Sequence, residues 1–285
     1  MNTANRLSLQ HIDLVVPYRE ASAERRDNLY GVLRHLVATY SDCRIWLMEA
    51  DARPHFEWAR IGDASVRHVF VHHDGPFPKA RLCNMGVRLA NSPVVCLHDA
   101  DSVAMPTALA GAVNGLLHGA TSDAICPYWP VVNVEGSLRQ RFLETGDVGA
   151  LHSLDPAALP PEAALLYASA NGGVVLFKRQ DYLRVGGYNE RLEGWGGEDD
   201  ELLNRATRLG VRWHSFTPPL IHLHHDTASR SEWIQATRDS DNIRHADAIQ
   251  SMSDEALQAL VTELSTQFGP VDRIAPPVEF SKPGD

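Results

Sequence analysis

Three short stretches of the chain combine residue types able to do chemistry. In Gly194-Trp195-Gly196-Gly197-Glu198-Asp199-Asp200-Glu201 an aromatic stands among glycines and four carboxylates follow. The glycines let the backbone turn through positive φ or approach a ligand closely, which leaves Trp195 room to act as a lid or stacking surface. Leu202, Leu203, Ala206 and Leu209 then recur at helical spacing, with Gly210 where a C-terminal cap belongs. Asp199 precedes Leu202 and Leu203 by three and four positions, so it shares their inward face and suits a general base; acidic residues also favour a first turn simply because they complement the helix dipole. Glu201 is expected to form a solvated i,i+4 pair with Arg205, so that at least one carboxylate faces water. In the second stretch an apolar run, Val94-Val95-Cys96-Leu97-His98, ends in Asp99-Ala100-Asp101. Hard oxygen ligands at a strand end can hold Mg²⁺ or Mn²⁺ and through it a diphosphate, although aspartates are also common in plain turns. The third, His222-Leu223-His224-His225-Asp226, offers imidazoles that are either metal ligands or ordinary core and surface residues.

These groups need a scaffold, and hydrophobic patterning describes one. His11 to Val16 reads as a buried strand stopped by Pro17, followed by an amphipathic helix carrying Leu29, Val32, Leu33, Leu36, Val37 and Tyr40. Further strands are expected at 45–49, 66–71, 94–98, 124–132, 171–177, 211–216 and 220–223, with helices at 77–90, 107–117, 180–185 and after Gly197. A proline-containing loop is expected at 151–162. Alternating strands and helices indicate an α/β domain with a largely parallel sheet, whose ligands bind at the carboxyl ends of the strands. That rule selects Pro17, Tyr18 and Arg19, then Glu49 and Asp51, then 72–77; Arg19 is either a phosphate ligand or a surface ion pair. Residues 229–268 read as two helices, the second entered through Ser253, Asp254 and Glu255, and 269–285 as a loosely held, proline-rich tail.

Of 285 residues 44% are hydrophobic and 22% charged, enough for one large domain, and the net charge of −10 argues against a nucleic-acid binder. Cys43, Cys83, Cys96 and Cys126 are scattered without a CxxC pair and are expected as reduced thiols. Residues 1–10 lack an apolar signal-peptide core and no apolar run is long enough for a bilayer, so the expected location is the cytoplasm.

In this order the motifs resemble the β-1,4-galactosyltransferase family and the related bacterial galactosyltransferase-like and chondroitin-polymerase-like enzymes. The likeness runs from about Val15 to Asp226. Val15-Val16-Pro17-Tyr18-Arg19 is similar to the family's opening Pro-Phe-Arg segment, which contacts the nucleotide. Phe77-Pro78-Lys79-Ala80-Arg81-Leu82-Cys83-Asn84-Met85-Gly86 is similar to Phe-Asn-Arg-Ala-Lys-Leu-Leu-Asn-Val-Gly. Asp99-Ala100-Asp101 with Met105-Pro106 matches the metal-binding Asp-x-Asp and its trailing proline. Gly194-Trp195-Gly196-Gly197-Glu198-Asp199-Asp200 matches the family signature throughout.

The resemblance implies a single GT-A domain over 1–228, with a nucleotide-binding half at about 10–105 and an acceptor and catalytic half at about 106–228. Residues 229–285 would be C-terminal helices and tail packed on it or extending from it. It implies inverting transfer of a hexose from a UDP-sugar with Mn²⁺ (or Mg²⁺) to a saccharide or glycoconjugate acceptor. Asp199 would be the base; Pro17, Tyr18, Arg19, Phe77, Lys79, Asp99, Ala100, Asp101, Gly173 and Trp195 would hold the nucleotide sugar. Trp195, Glu198 and Asp200 would face the acceptor, and Asp101, Asp99, His222 and His225 the metal, the two histidines having the family's spacing of three. Lys79 replaces an arginine and Ala21 stands where a second arginine is usual, which alters the diphosphate clamp. Ala170 replaces a bulky tyrosine, leaving space for an N-acetyl group, so UDP-GalNAc stands beside UDP-galactose as donor. Two rival classes are a metal-dependent nucleotidyltransferase, disfavoured because Pro17-Tyr18-Arg19-Glu20 lacks a glycine-rich phosphate loop, and a non-catalytic nucleotide-sugar-binding module, disfavoured by the intact aspartates. No transmembrane segment is expected; peripheral membrane contact by the C-terminal helices is open.

Overall fold

The chain is described by a computed structural model covering residues 6–169, 171–194, 196–226 and 241–267. Among these residues the strands, in chain order, are β1 (Leu7–Ser8), β2 (Ile12–Tyr18), β3 (Tyr40–Ser41), β4 (Arg44–Asp51), β5 (Val66–His72), β6 (Val94–His98), β7 (Ser102–Val103), β8 (Ala124–Cys126), β9 (Val131–Val134), β10 (Ala163–Tyr167), β11 (Val174–Lys178), β12 (Trp213–Ser215) and β13 (Leu220–Leu223). The α-helices are α1 (Ala23–Thr39), α2 (Lys79–Leu89), α3 (Pro106–His118), α4 (Gly136–Thr145), α5 (Gly149–His152), α6 (Arg179–Arg184), α7 (Glu198–Arg208), α8 (Asp241–Ser251) and α9 (Asp254–Gln267).

Every residue of β2 is buried, as a strand covered on both faces requires, and burial of side chains such as Leu14, Val15 and Val16 contributes roughly 1.5–3 kcal/mol each. The main sheet has the order β12-β8-β11-β6-β2-β4-β5. The β6-β2-β4-β5 run and the β12-β8 pair are parallel, while β11 lies antiparallel between β6 and β8. The expected mostly parallel α/β fold is therefore present. Asp13, buried on β2, locks neighbouring segments together: it accepts from Arg44 at 2.6 and 3.1 Å and from the backbone N–H groups of Asn91 and Ser92 at 2.9 Å each.

Two local expectations change. The strand does not stop at Pro17 but runs to Tyr18, because pairing with β6 ends at Val15 opposite Leu97 and only β4 continues alongside. A residue without an N–H is tolerated where one side of the strand is free. That divergence of β2 from β6 also opens a crevice at the strand ends. The extended stretch 124–132 is two strands, β8 in the main sheet and β9 in a second sheet of order β10-β9-β13-β7. The latter is the device that matters for the site: β13 pairs antiparallel with β7 through His222 opposite Ser102, and parallel with β9 through His222 opposite Asn133.

Helices α8 and α9 pack on the rest. Arg208 of α7 donates to Ile249 O and Met252 O at 2.7 and 2.6 Å, and Ser253 caps α9 by accepting from Ala256 N at 3.2 Å. The expected helical residues 229–240 and the tail lie outside the described residues. Among the described residues no helix is long and apolar enough to cross a membrane. All four cysteines are free, as expected, and all but Cys43 are buried.

Candidate active site

A cavity of about 730 Å³ opens at the carboxyl ends of β2 and β6 and beneath the first turn of α7. Pro17, Phe77, Lys79, Asp99, Ala100, Asp101, Gly173, Glu198, Asp199, Asp200, His222 and His225 all line it. Tyr18 and Arg19 are set back from its wall. Tyr18 is buried, and Arg19 donates to three carbonyls, Ala50 O at 2.9 Å, Gly75 O at 2.7 Å and His73 O at 3.1 Å, bracing the loop that presents Phe77. Glu49, also buried, accepts from His55 N at 2.6 Å and pairs with His68 at 2.7 Å, a structural role in the same region. Trp195 and Ala170 lie outside the described residues.

One wall gathers Asp101, His222 and His225, whose ligand atoms all lie within 4.8 Å of one another. The backbone forces this meeting of residues far apart in sequence. β7 follows Asp101 directly and pairs with β13, and Leu223 N donates to Asp101 O at 2.7 Å. From behind, Asn28 of α1 donates to the carbonyls of Leu223 and His224 at 2.9 and 3.2 Å. Asn133 Oδ1 lies 2.8 Å from His222 Nδ1; an amide oxygen only accepts, so Nδ1 carries the proton and Nε2 keeps a lone pair toward Asp101. Burial works against charge on Asp101, but the His225 contact at 3.2 Å, then His222 and Arg25, hold its carboxyl well below the usual range. Burial lowers His222 to about 4 against the pull of Asp101. One carboxylate and two imidazoles fit a divalent first-row ion, and the two imidazoles suit Mn²⁺ better than Mg²⁺. His224 points away to Glu135 and Asp226, at 3.8 and 3.7 Å. Asp99 is not in the group; its Oδ1 lies 3.4 Å from Lys79 Nζ. Burial raises its carboxyl to about 7, with Lys79 opposing and Asp101, Asp199 and Glu198 adding to the rise.

The opposite wall holds the carboxylates that open α7, and two side chains from elsewhere in the fold fix Asp199 there. Tyr188 Oη donates to its Oδ1, and Lys79 Nζ to its Oδ2 at 2.9 Å. Lys79 is also 3.1 Å from Glu198. Although burial disfavours its charge, Asp199, Asp99 and Glu198 together hold the Lys79 ammonium well above its usual range. Burial likewise raises the Glu198 carboxyl, with Lys79 opposing. Tyr188 is itself immobilised by Asn84, which accepts from Tyr188 N at 2.9 Å and from Tyr182 Oη at 2.6 Å, and donates to Tyr188 O at 2.9 Å. Gly172 lies against Asp199 so closely that a Cβ there would collide with the carboxylate, which explains a glycine at that position. Asn171 donates to Asp200 at 2.6 Å, and Tyr128 Oη donates to Gly172 O.

The expected solvated Glu201–Arg205 pair is instead fully buried. Arg205 grips Glu201 through two bonds of 2.7 Å and also donates to Gly187 O at 2.6 Å and to Val185 O. The i,i+4 geometry is as expected, but the turn after α6 packs over it and supplies the remaining acceptors. The pair thus ties α7 to the segment that carries Tyr188.

Sequence reasoning missed Tyr188, Tyr128, Asn133, Asn171 and Arg25. Tyr188 lies in the same glycine-rich stretch as Asp199, a usable signal; the others come from separate elements and become neighbours of the site's motifs only in the fold.

The fold is that of the GT-A nucleotide-diphospho-sugar transferases. Across 86% of this chain and 80% of the other, it superposes with a TM-score of 0.53 and 14% identity on glucosyl-3-phosphoglycerate synthase from Mycobacterium tuberculosis, a structure in complex with Mn²⁺, UDP and phosphoglyceric acid. Within that class, residues 156–226 match the family model described as the N-terminal domain of galactosyltransferase. Beta-1,4-galactosyltransferase 2 of Cricetulus griseus is 42% identical over 48 residues, 17% of this chain and 13% of that protein. A Lymnaea stagnalis beta-N-acetyl-D-glucosaminide beta-1,4-N-acetylglucosaminyl-transferase is 44% identical over 45 residues, 16% of this chain and 9% of that one. The chain therefore resembles galactosyltransferases in sequence over that stretch, as the motifs indicate, and the matches span a small part of those relatives' length.

Proposed function

We propose that the protein is an inverting, metal-dependent glycosyltransferase that moves a hexose from a UDP-sugar to a hydroxyl of a saccharide or glycoconjugate. The observation that carries this reading is one cavity walled on one side by Asp101, His222 and His225 and on the other by Asp199, its carboxylate anchored by Tyr188 and Lys79. Asp101, His222 and His225 would hold Mn²⁺, which when bound supplies positive charge to the donor's diphosphate.

Asp199 accepts the proton of the acceptor hydroxyl as that oxygen bonds to the anomeric carbon and the bond from that carbon to the diphosphate breaks, releasing UDP. Each carboxylate oxygen has two lone pairs, so Tyr188 and Lys79 can orient Asp199 while one lone pair on each oxygen remains for the acceptor. Pro17, Phe77 and Lys79 line the donor side, and Glu198 and Asp200 flank the acceptor side. In this reading Trp195 covers both sugars. The names of the two relatives support galactose or an N-acetylhexosamine as the transferred sugar, and Ala170 in place of a bulky residue supports N-acetylgalactosamine beside galactose. Residues 10–105 would form the nucleotide half and 106–228 the acceptor half of one domain, with the C-terminal helices packed upon it. Four free thiols support a reducing, cytoplasmic location.

The test is transfer from UDP-galactose and UDP-GalNAc with Mn²⁺ to a panel of saccharides, with the product anomer assigned by NMR. A β-linked product from the α-linked donor is expected. A retained α linkage would contradict Asp199 as a base acting in a single displacement.

A further inference from the structure

Arg25 sits in the first turn of α1 and reaches into the cavity. One guanidinium nitrogen lies 3.4 Å from Asp101 Oδ2, and another lies 3.4 Å from His225 Nε2. Two of the three cation-ligand residues therefore already face a positive charge carried by the chain itself. A buried carboxylate such as Asp101 requires a compensating partner, and Arg25 provides it. A divalent ion at the same oxygen would be repelled by that guanidinium, so the two cannot both keep this position.

Arg25 is free to yield, because its side chain is 27% exposed and its long stem can swing within the cavity. Where the resemblance places a second arginine in the opening segment, this chain has Ala21, exposed and without a charge. Arg25 comes from one helical turn further on. A planar guanidinium matches phosphate oxygens in pairs. We propose that Arg25 is the metal-free counter-ion of Asp101 and, displaced by the divalent cation, becomes a ligand of the donor's diphosphate, so that cation and nucleotide binding are coupled through it.

The inference rests on the glycosyltransferase reading and is tested by binding rather than turnover. Mn²⁺ binding alone is followed by electron paramagnetic resonance, and UDP and UMP binding at saturating Mn²⁺ by calorimetry, on the full chain as wild type, R25Q and R25K. Both replacements are good helix formers, so α1 is retained. R25Q is expected to bind Mn²⁺ alone more tightly, by about tenfold, yet to bind UDP about tenfold or more weakly, with a smaller loss for UMP. R25K keeps the charge without the fork, so its Mn²⁺ affinity stays near wild type while UDP binding falls in part. Opposite signs for cation and nucleotide are not produced by simple loss of structure. If wild type binds both ligands and R25Q binds each as wild type does, or weakens both, the role of Arg25 is overturned and the transferase reading stands. If wild type binds neither Mn²⁺ nor UDP, the transferase reading fails and takes this inference with it.

Discussion

Asp199 lines the cavity with both oxygens anchored, by Tyr188 and by Lys79, whereas Glu201, gripped by Arg205, is buried away from it. Asp199→Asn keeps the shape but cannot take a proton, so UDP and Mn²⁺ binding should persist while transfer falls by roughly 10² or more; near-normal turnover in a stopped assay would refute the base. Tyr188→Phe removes one oriented hydrogen bond, worth about 1–2 kcal/mol, and should lower kcat by about tenfold with little change in KM for the donor. Asp199 was legible because a glycine-rich approach, an acidic first turn and an apolar stripe follow one another directly from Gly186 to Leu209. Asn133 was not legible: an asparagine in an apolar stretch carries no sign of the histidine it will orient 89 positions later.

At the scale of elements, α7 carries the carboxylate end of the site and is held by a buried ion pair rather than by its apolar stripe alone. Glu201→Gln leaves Arg205 buried with its charge uncompensated, and such a loss costs about 3–5 kcal/mol. Urea unfolding should therefore show a large drop in midpoint; a drop under about 1 kcal/mol would mean that the pair behaves as an exposed one. The i,i+4 spacing is identical for a solvated and a buried pair, so only the packing of the Val185–Gly187 turn decides between them. Strands with continuous apolar runs, such as β6 leading into Asp99 and Asp101, were readable for the same reason that they fold: burial on both faces. Elements with little burial were not. Helix α4 buries only Phe142 and β10 buries none of its residues fully, so neither has a strong periodic signature, yet β10 contributes to the second sheet that closes the cavity.

The whole molecule carries an excess of acidic residues, and its fold holds neutral histidines away from water. Burial lowers His35 to about 3 and His152 to about 4 from the ordinary 6.5, and the Nε2 of each is buried without a hydrogen-bond partner among the described residues. His35 is faced by Thr39, by the rings of Tyr40 and Phe142, and by His152, none of which supplies a negative charge. Between these folded values and 6.5 the unfolded chain binds more protons than the folded one, so stability falls as pH drops through that window. The slope should approach about 1.4 kcal/mol per pH unit for each histidine and vanish above about pH 7. Urea midpoints at pH 7 and pH 5 check this, and His35→Gln should flatten the difference even though it lowers stability at pH 7.

Glycosyl transfer by this site is tested most directly by UDP release from the purified chain with Mn²⁺ and a panel of UDP-sugars, each compared with EDTA and with Asp101→Ala. Slow, metal-dependent release from one preferred donor is expected, abolished by chelation and by the substitution. UDP binding without release from any donor, with or without saccharide acceptors, would contradict catalysis and leave a nucleotide-sugar-binding protein in its place.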